Sequence, residues 1–342
     1  MTAPLAEEAA LASAIAEAAV AAGHAGARVS GLKRLSGGAS KESWAFDLAH
    51  ADGSLTPLVL RRQPPALRFA RNGLDSLLAE AAVLRAVAPC GIPVPQVAFE
   101  LPPGSPAGEG YAMARIAGET VGTRILKDAA LAEARPLLAR QCGGILARLH
   151  AMPADRLPPL PAVAPAEALA QMARRLEATG QARPVFEFAL TWLRRHLPMD
   201  GPLTLVHGDF RNGNLVVGPE GVRAVLDWEL AHVGAPLSDL GWLCVTSWRF
   251  QAPALPVGGF GIREDLLAGY REAGGGAVDP VALHAWEVFQ TLNWGLMCAG
   301  VGATFMNGVR TVEGALIARR ASETEFDLLR LLLPDHEAWN AR

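Results

Sequence analysis

The sequence of 342 residues has few cysteines, almost no net charge and no long run of uncharged apolar residues. Its four cysteines stand alone without a CxxC pair, which favours small buried thiols in a reducing compartment. The 31 basic and 34 acidic residues give a formal net charge of −3, which argues against nucleic acid as a partner. Because no stretch of about 18 uncharged apolar residues is present, we predict no membrane partner and a cytoplasmic location.

The N-terminal segment is apolar enough to be compared with a signal peptide, but it lacks the basic start of one. It carries Glu7, Glu8 and Glu17 instead, which predicts an Ala-rich surface helix. Apolar residues make up 51 % of the chain and the mean hydropathy is +0.20, so a disordered polymer is excluded. At about 100–200 residues per domain, the length predicts two domains or one bilobal unit.

Strand and helix patterns divide the chain into two lobes. We predict an N-terminal lobe over residues 1–116, with the N-terminal helix, an antiparallel sheet, a Gly loop and one further helix. The further helix spans 75–88, and the strands fall near 31–35, 44–48, 58–62, 94–99 and 111–116. Residues 117–342 predict a helical lobe with helices near 128–151, 166–179, 184–197, 263–273, 280–305 and 311–332. A β-rich island at 203–227 interrupts these helices. The predicted fold class is α+β and bilobal, with a small β-rich N-lobe and a larger, mainly helical C-lobe.

The strongest chemical signal is the segment 207–214, which reads HGDFRNGN and lies between two apolar strands. Its H-x-D-x-x-x-x-N spacing suits phosphoryl transfer, in which an aspartate sits beside the attacking hydroxyl and an asparagine a few residues later reaches Mg²⁺. Asp209 and Asn214 are the candidates for these two positions. The alternative is a polar turn between strands, with His207 as a hydrogen-bonded core histidine.

A second signal follows thirteen residues after Asn214, where Asp227 lies in the sequence LDWE at the end of the predicted return strand. From there its carboxylate could provide a second oxygen ligand for Mg²⁺, which takes few protein carboxylates and several phosphate oxygens. Alternatively, Asp227 caps the strand. Glu229 could contact the groups around the metal without binding the metal itself, or it could be solvated. The sequence leaves both interpretations open.

In the N-lobe, the Gly/Ser segment formed by Ser36, Gly37, Gly38, Ala39 and Ser40 lies between two predicted strands. A strand–Gly loop–strand unit can fold over nucleotide phosphates and offer backbone N–H groups to them. This arrangement differs from the Walker loop, which leads from a strand into a helix. Two adjacent glycines also occur in ordinary hairpin turns, which is the alternative here.

An acidic residue on an apolar helix face indicates a buried ion pair. Glu80 falls on the apolar stripe of the helix over 75–88, and a carboxylate in that position needs a partner. Arg61 and Arg62 in the preceding strand point to opposite faces, and we prefer Arg61 as the partner. Arg61 could also reach the nucleotide phosphates, or the pair could be purely structural.

With these features in order, the sequence resembles the aminoglycoside phosphotransferase/choline kinase superfamily, whose members have a protein-kinase-like fold. The segments LVLRRQPP, VHGDFRNGNLVV and LDWELAHVG carry the resemblance, which extends from about residue 33 to about residue 321. Within the superfamily, it is most similar to the branch that includes the kinase-like domain of some acyl-CoA dehydrogenase fusions.

The resemblance implies a role for each matching residue. Asp209 would be the catalytic base, and Asn214 and Asp227 would ligate Mg²⁺. Arg61 would pair with phosphate and with Glu80, and the backbone of the hinge residues Met113, Ala114 and Arg115 would bind adenine. His207 and Asp239 would give structural support. The sequence departs from the family at two positions. Protein kinases and antibiotic-modifying enzymes have lysine where this chain has Arg61, and the branch commonly has aspartate where it has Ala235.

These observations predict an ATP- and Mg²⁺-dependent kinase that acts on the hydroxyl of a small molecule, with a hydroxyacyl-CoA as one candidate acceptor. Aminoglycoside, choline or homoserine acceptors are alternatives. The protein could also be a nucleotide-binding pseudokinase, and a metal-dependent hydrolase is the alternative with the least support. The aromatic residues of 286–305 could form the acceptor pocket or belong to the core. Beyond residue 250, eleven acidic and seven basic residues are dispersed, which disfavours a polycationic acceptor.

Overall fold

The computed structural model describes residues 3–35, 41–64, 74, 76–102, 104–308 and 311–333. Within this part of the chain, a five-stranded sheet with two helices precedes a mainly helical remainder. The prediction of an α+β fold with a β-rich N-terminal part is therefore confirmed. None of the helices in the described ranges is both long and apolar enough to cross a membrane.

The N-terminal part is built around one antiparallel sheet. Its elements are α1 (Ala3–Ala21), β1 (Arg28–Arg34), β2 (Glu42–Ala49), β3 (Leu55–Gln63), α2 (Leu77–Val87), β4 (Val97–Glu100) and β5 (Glu109–Ala114). The strand order is β1-β2-β3-β5-β4, which places β3 at the centre. Side chains of β3 alternate between the two faces of the sheet, so neighbouring residues enter different environments.

Helix α1 packs against one face of this sheet rather than lying free on the surface. Leu11 and Ile15 of α1 share a buried cluster with Leu58 and Leu60 of β3. Charged positions such as Glu8 lie on its exposed side, as the sequence predicted. The helix therefore covers the sheet face opposite the one that Arg61 occupies.

Helix α2 covers the other side of the sheet. Ser76 caps its N-terminus, since the hydroxyl accepts a hydrogen bond from the N–H of Ala79 at 3.0 Å. Leu77 and Leu84 are buried in the main core, and Glu80, on the same face, is only 1 % exposed. This helix therefore brings a carboxylate into the protein interior, where it needs a cationic partner.

The C-terminal part combines helices with two small β units. Its elements are α3 (Gly122–Lys127), α4 (Arg135–His150), α5 (Pro165–Ala178), α6 (Pro184–His196), β6 (Thr204–Val206), β7 (Leu215–Gly218), β8 (Gly221–Val225), β9 (His232–Gly234), α7 (Leu237–Cys244), α8 (Arg263–Glu272), α9 (Pro280–Met306), α10 (Val312–Ala318) and α11 (Arg320–Leu332). Strands β7 and β8 form the predicted hairpin, in which Gly218 pairs with Gly221. Strand β6 pairs with β9, so the segment 207–214 leads from the β6–β9 pair to the β7–β8 hairpin.

Several predicted boundaries were wrong. The single helix expected over 128–151 begins only at Arg135, because a separate 3₁₀ turn precedes it and Pro136 occupies its first turn. The helix expected over 311–332 is two helices, α10 and α11, which meet at Arg319. The short elements α3, α7 and β9 were missed. Seven of the eight residues of α7 are buried, so it lacks the alternation of buried and exposed positions that marks an amphipathic helix.

Candidate active site

A cavity of about 300 Å³ lies at the inner face of the sheet and brings distant parts of the chain together. Its lining includes seven of the predicted site residues: Arg61, Glu80, Met113, Ala114, Arg115, Asn214 and Asp227. Apolar side chains on both sides complete the lining, among them Val59 and Leu84 from the N-terminal part and Val216 and Leu226 from the C-terminal part. A slot with apolar walls and charged groups at one end suits a flat ring that carries a charged chain.

The segment 113–116 forms one wall of the cavity. The backbone N–H groups of Ala114 and Arg115 donate to the carbonyls of Gln96 and Pro57, at 2.8 and 3.0 Å. Any ring bound here would therefore use the remaining backbone groups of this segment.

One buried carboxylate accepts hydrogen bonds from the backbone at the start of the loop 207–214. Asp239 of α7 accepts hydrogen bonds from the backbone N–H groups of His207 and Gly208, at 2.8 and 2.9 Å. Gly208 has a φ of +79°, and a Cβ there would collide with the Leu230 carbonyl oxygen. His207 accepts from the N–H of Asp209 at Nδ1, so its Nε2 donates to the Leu226 carbonyl at 3.1 Å. These hydrogen bonds stabilise the start of the loop, from His207 to Asp209.

Asp239 is itself partnered deeper in the core. His150 Nε2 lies 3.2 Å from its carboxylate, and His150 Nδ1 lies 3.0 Å from the Tyr270 hydroxyl. Burial alone would raise the pKa of Asp239, but the hydrogen bonds from His150 and the His207 backbone bring that pKa below its usual value. The carboxylate is therefore ionised and fully hydrogen-bonded at neutral pH.

We expect Asp239→Ala to lower the free energy of unfolding by about 3–5 kcal/mol, because it leaves two backbone N–H groups and His150 without their buried acceptor. Urea denaturation of the purified variant measures this change. The matched control is Asp200→Ala, which removes an exposed carboxylate. A loss for Asp239→Ala within about 0.5 kcal/mol of the control would contradict this account.

Asp209 projects from the loop 207–214 into a set of hydrogen-bond donors. One carboxylate oxygen accepts from Trp242 Nε1 at 2.8 Å and from Arg211 Nε at 3.0 Å. The other oxygen accepts from Asn214 Nδ2 at 2.6 Å. Burial raises the pKa of Asp209 above its usual value, although the charge of Arg211 acts in the opposite direction. This environment holds the carboxylate in one orientation and makes it a better proton acceptor than an ordinary aspartate.

Asn214 and Asp227 have side-chain oxygen atoms of the kind that Mg²⁺ binds. The Asn214 amide group donates through Nδ2 to Asp209, which leaves its Oδ1 as the atom to act as a ligand. Asp227 lies in the left-handed region with a φ of +65°, a strained conformation of the kind that concentrates at functional sites. Both residues line the cavity. Two protein oxygens fit Mg²⁺, which completes its octahedral coordination with phosphate oxygens and water.

Arg61 connects the cavity to the buried carboxylates. Its Nε lies 3.1 Å from Glu80, and its Nη2 lies 2.5 Å from Asp227 and 3.2 Å from Glu229. Burial would lower the pKa of Arg61, but the surrounding carboxylates raise that pKa above its usual value. For the Asp227 carboxylate, burial alone would raise the pKa, but the charge of Arg61 brings that pKa below its usual value. Arg61 and Asp227 are therefore both charged across the neutral range.

Arg62 faces away from the cavity. Its guanidinium donates to Glu42 at 2.8 Å and to the Ala107 carbonyl at 3.2 Å, on the sheet face that α1 covers. The alternation along β3 thus places Arg61, not Arg62, next to Glu80.

The remaining predicted residues either lie outside the part of the chain that the structure describes or do not line the cavity. Ser36, Gly37, Gly38 and Ser40 lie outside the described residues. Of the aromatic residues considered for an acceptor pocket, Phe289 is buried against Trp286 in the C-terminal core, with ring centroids 5.0 Å apart. Trp294 packs against Trp248 at 4.9 Å, beside Trp242. This tryptophan group reaches Asp209 through Trp242, whose indole N–H donates to the carboxylate.

Two residues of the site were missed in the sequence. Lys41 lies 2.6 Å from Glu229 and 3.5 Å from Glu80. In the sequence, the one signal for Lys41 was its position directly after the Gly/Ser segment. Trp242, which orients Asp209, follows Asp239 by three residues on α7 and therefore shares its helix face. Because α7 was not predicted, this signal was not visible.

The arrangement of a β-rich part followed by a helical part recurs in solved structures. A Ralstonia eutropha protein provisionally named an aminoglycoside phosphotransferase superposes with a TM-score of 0.74 at 19 % identity, over 93 % of this chain and 97 % of that one. A thermostable mutant of aminoglycoside phosphotransferase APH(4)-Ia, in ternary complex with AMP-PNP and hygromycin B, gives 0.63 at 17 % identity, over 90 % and 95 %. These similarities establish a protein-kinase-like fold.

Sequence comparison identifies the family. Residues 31–275 match the APH model, described as the phosphotransferase enzyme family, so the chain belongs to that family. Acyl-CoA dehydrogenase family member 11 of Rattus norvegicus is 33 % identical over 171 residues, which are 45 % of this chain and 22 % of that protein. The chain therefore corresponds to a minor part of this much longer relative.

Proposed function

We propose that this protein is an ATP- and Mg²⁺-dependent O-phosphotransferase that phosphorylates a hydroxyl group of a small metabolite. One observation carries the proposal: Asn214, Asp227 and the Arg61–Glu80 pair line one cavity, and the carboxylate of Asp209 lies next to it, hydrogen-bonded to Asn214 at 2.6 Å. This set contains a proton acceptor, a metal site and a cation for phosphate, which are the parts that phosphoryl transfer requires.

Each residue has a role that follows from its position. The apolar slot beside Met113, Ala114 and Arg115 would bind the adenine ring through the backbone of this segment. Arg61 would pair with phosphate oxygens while Glu80 holds its guanidinium in place. Asn214 and Asp227 would hold Mg²⁺, which when bound neutralises charge on the phosphates.

Asp209 would accept a hydrogen bond from the acceptor hydroxyl, align its oxygen with the γ-phosphate and take its proton as the bond to phosphorus forms. Its fixed orientation and raised pKa support this role. His207 and Asp239 would keep the loop in place without contacting the substrate.

The surroundings of Asp209 also bear on the acceptor. The guanidinium of Arg211 stacks on the Trp248 ring, 4.6 Å from its centroid, and donates to Asp209. Because Arg211 balances the charge of Asp209, this side of the site has no excess negative charge to attract a polycationic aminoglycoside, and it suits a neutral or anionic acceptor. A hydroxyacyl-CoA has this character, and the similarity to acyl-CoA dehydrogenase family members supports the same class.

ADP release in the presence of Mg·ATP tests the proposal. The acceptor panel contains 3- and 4-hydroxyacyl-CoAs, choline, homoserine, simple sugars and an aminoglycoside, and Asp209→Asn serves as the blank. We expect release above the blank with an anionic or neutral acceptor. Equal release by the wild type and the blank with every acceptor, from a protein that binds Mg·ATP, would favour a nucleotide-binding pseudokinase.

A further inference from the structure

Lys41 is a second cation beside the cavity, and the roles proposed above leave it without a function. It directly precedes β2 and follows the Gly/Ser segment in the sequence. Its side chain is only 19 % exposed, which is unusual for lysine because its charged end is normally in water. The ammonium group lies 2.6 Å from Glu229 and 3.5 Å from Glu80.

Lys41 and Arg61 share their partners. Both cations contact Glu80, and both contact the same oxygen of Glu229, while Arg61 alone contacts Asp227. Glu80 is buried and already has the guanidinium of Arg61 as a partner at 3.1 Å. Glu80 therefore has a cationic partner without Lys41. The shorter contact of Lys41 is with Glu229, a carboxylate that is 32 % exposed and does not need a buried counter-charge.

The charge balance indicates what the second cation does. Two cations and three carboxylates give this group of five side chains a net charge of −1, which becomes +1 when Mg²⁺ is bound. Without Lys41, the group with Mg²⁺ would have no net charge to attract a polyphosphate. Its ammonium is a compact charge on a flexible stem, so it can move from Glu229 to a phosphate oxygen.

We propose that Lys41 is a second phosphate-binding residue of the nucleotide site, which contacts the polyphosphate chain together with Arg61. This inference rests on the proposed function, because it requires a nucleoside triphosphate in the cavity. Glu229 then serves as the resting partner of Lys41 when no phosphate is present. Arg61 keeps its contact with Glu80 in both states.

Isothermal titration calorimetry with two ligands tests the proposal. Mg·AMP-PNP carries the phosphate chain, whereas adenosine carries only the ring and the sugar. We expect Lys41→Met to bind Mg·AMP-PNP about tenfold or more weakly than the wild type and adenosine with unchanged affinity. Lys41→Arg, which retains the charge, should stay within about threefold of the wild type. Lys127→Met, an exposed lysine on α3, is the control for net charge.

The outcomes separate the two proposals. If the wild type binds Mg·AMP-PNP and Lys41→Met binds it equally well, Lys41 does not contact phosphate and this inference is overturned while the nucleotide site remains. If Lys41→Met loses affinity for adenosine to the same extent, the residue acts on the architecture of the cavity and the inference is also overturned. If the wild type binds neither ligand, the proposed function fails and the inference fails with it.

Discussion

Asp209→Asn is expected to lower turnover about 10³-fold while the affinity for Mg·ATP stays within a few-fold of the wild-type value. The amide cannot accept the proton of the acceptor hydroxyl, and it lacks the charge that orients that hydroxyl. Asp209 does not line the cavity, so nucleotide binding should survive the substitution. Steady-state ADP release and calorimetry with Mg·AMP-PNP measure the two quantities separately.

This substitution needs a control for local structure. In Asp209→Asn, the new amide nitrogen must face either the Asn214 amide group or the indole N–H of Trp242, both of which are donors. Asp200→Asn removes an exposed carboxylate and should leave turnover and melting temperature unchanged. Wild-type turnover in Asp209→Asn would remove Asp209 from the reaction, whereas lost nucleotide binding would show that the loop had been disturbed.

Asp227→Ala is expected to weaken Mg²⁺-dependent binding of AMP-PNP at least about tenfold, because the site loses a carboxylate ligand and one of the ion-pair partners of Arg61. Titrations with and without Mg²⁺ isolate the metal-dependent part. Binding of adenosine should not change, since the apolar slot remains. Equal Mg²⁺ dependence in the variant and the wild type would mean that the metal site is assigned to the wrong residue.

The backbone at Asp227 requires a second variant. Alanine tolerates a φ of +65° poorly, whereas asparagine adopts the left-handed region about as readily as aspartate. Asp227→Asn therefore removes the charge without adding backbone strain. We expect Asp227→Asn to lose metal-dependent binding as well and to keep more stability than Asp227→Ala; a loss confined to Asp227→Ala would attribute the effect to strain.

How far the sequence predicts this site depends on the kind of contact. The positions of Arg61 and Glu80 follow from strand and helix periodicity, which acts over a few residues and is visible in the sequence. The division into a β-rich and a helical part follows in the same way. Contacts made by a short and almost completely buried helix do not follow from such periodicity. The hydrogen bond from Trp242 to Asp209 was therefore not foreseen.

Lys41 illustrates a second limit. A lysine at the start of a strand is ordinarily solvated, and nothing in the local pattern shows that Glu80 and Glu229, 39 and 188 positions away, converge on its ammonium group. Such convergence depends on how α2 and the segment after β8 pack against the sheet. The HGDFRNGN motif therefore predicts phosphoryl transfer, whereas the tertiary packing determines which further side chains, such as Lys41, lie beside the cavity.

The central claim, that Asp209 directs transfer of the γ-phosphoryl group to a hydroxyl, is tested most directly by following the phosphorus atom itself. The protein is incubated with Mg²⁺, ATP labelled with ³²P at the γ-position and an extract of small metabolites, with Asp209→Asn in parallel. The account predicts a labelled phosphate ester that forms with the wild type and not with the variant. The same labelled products with both proteins, or no labelled ester from a wild type that binds Mg·ATP, would contradict it.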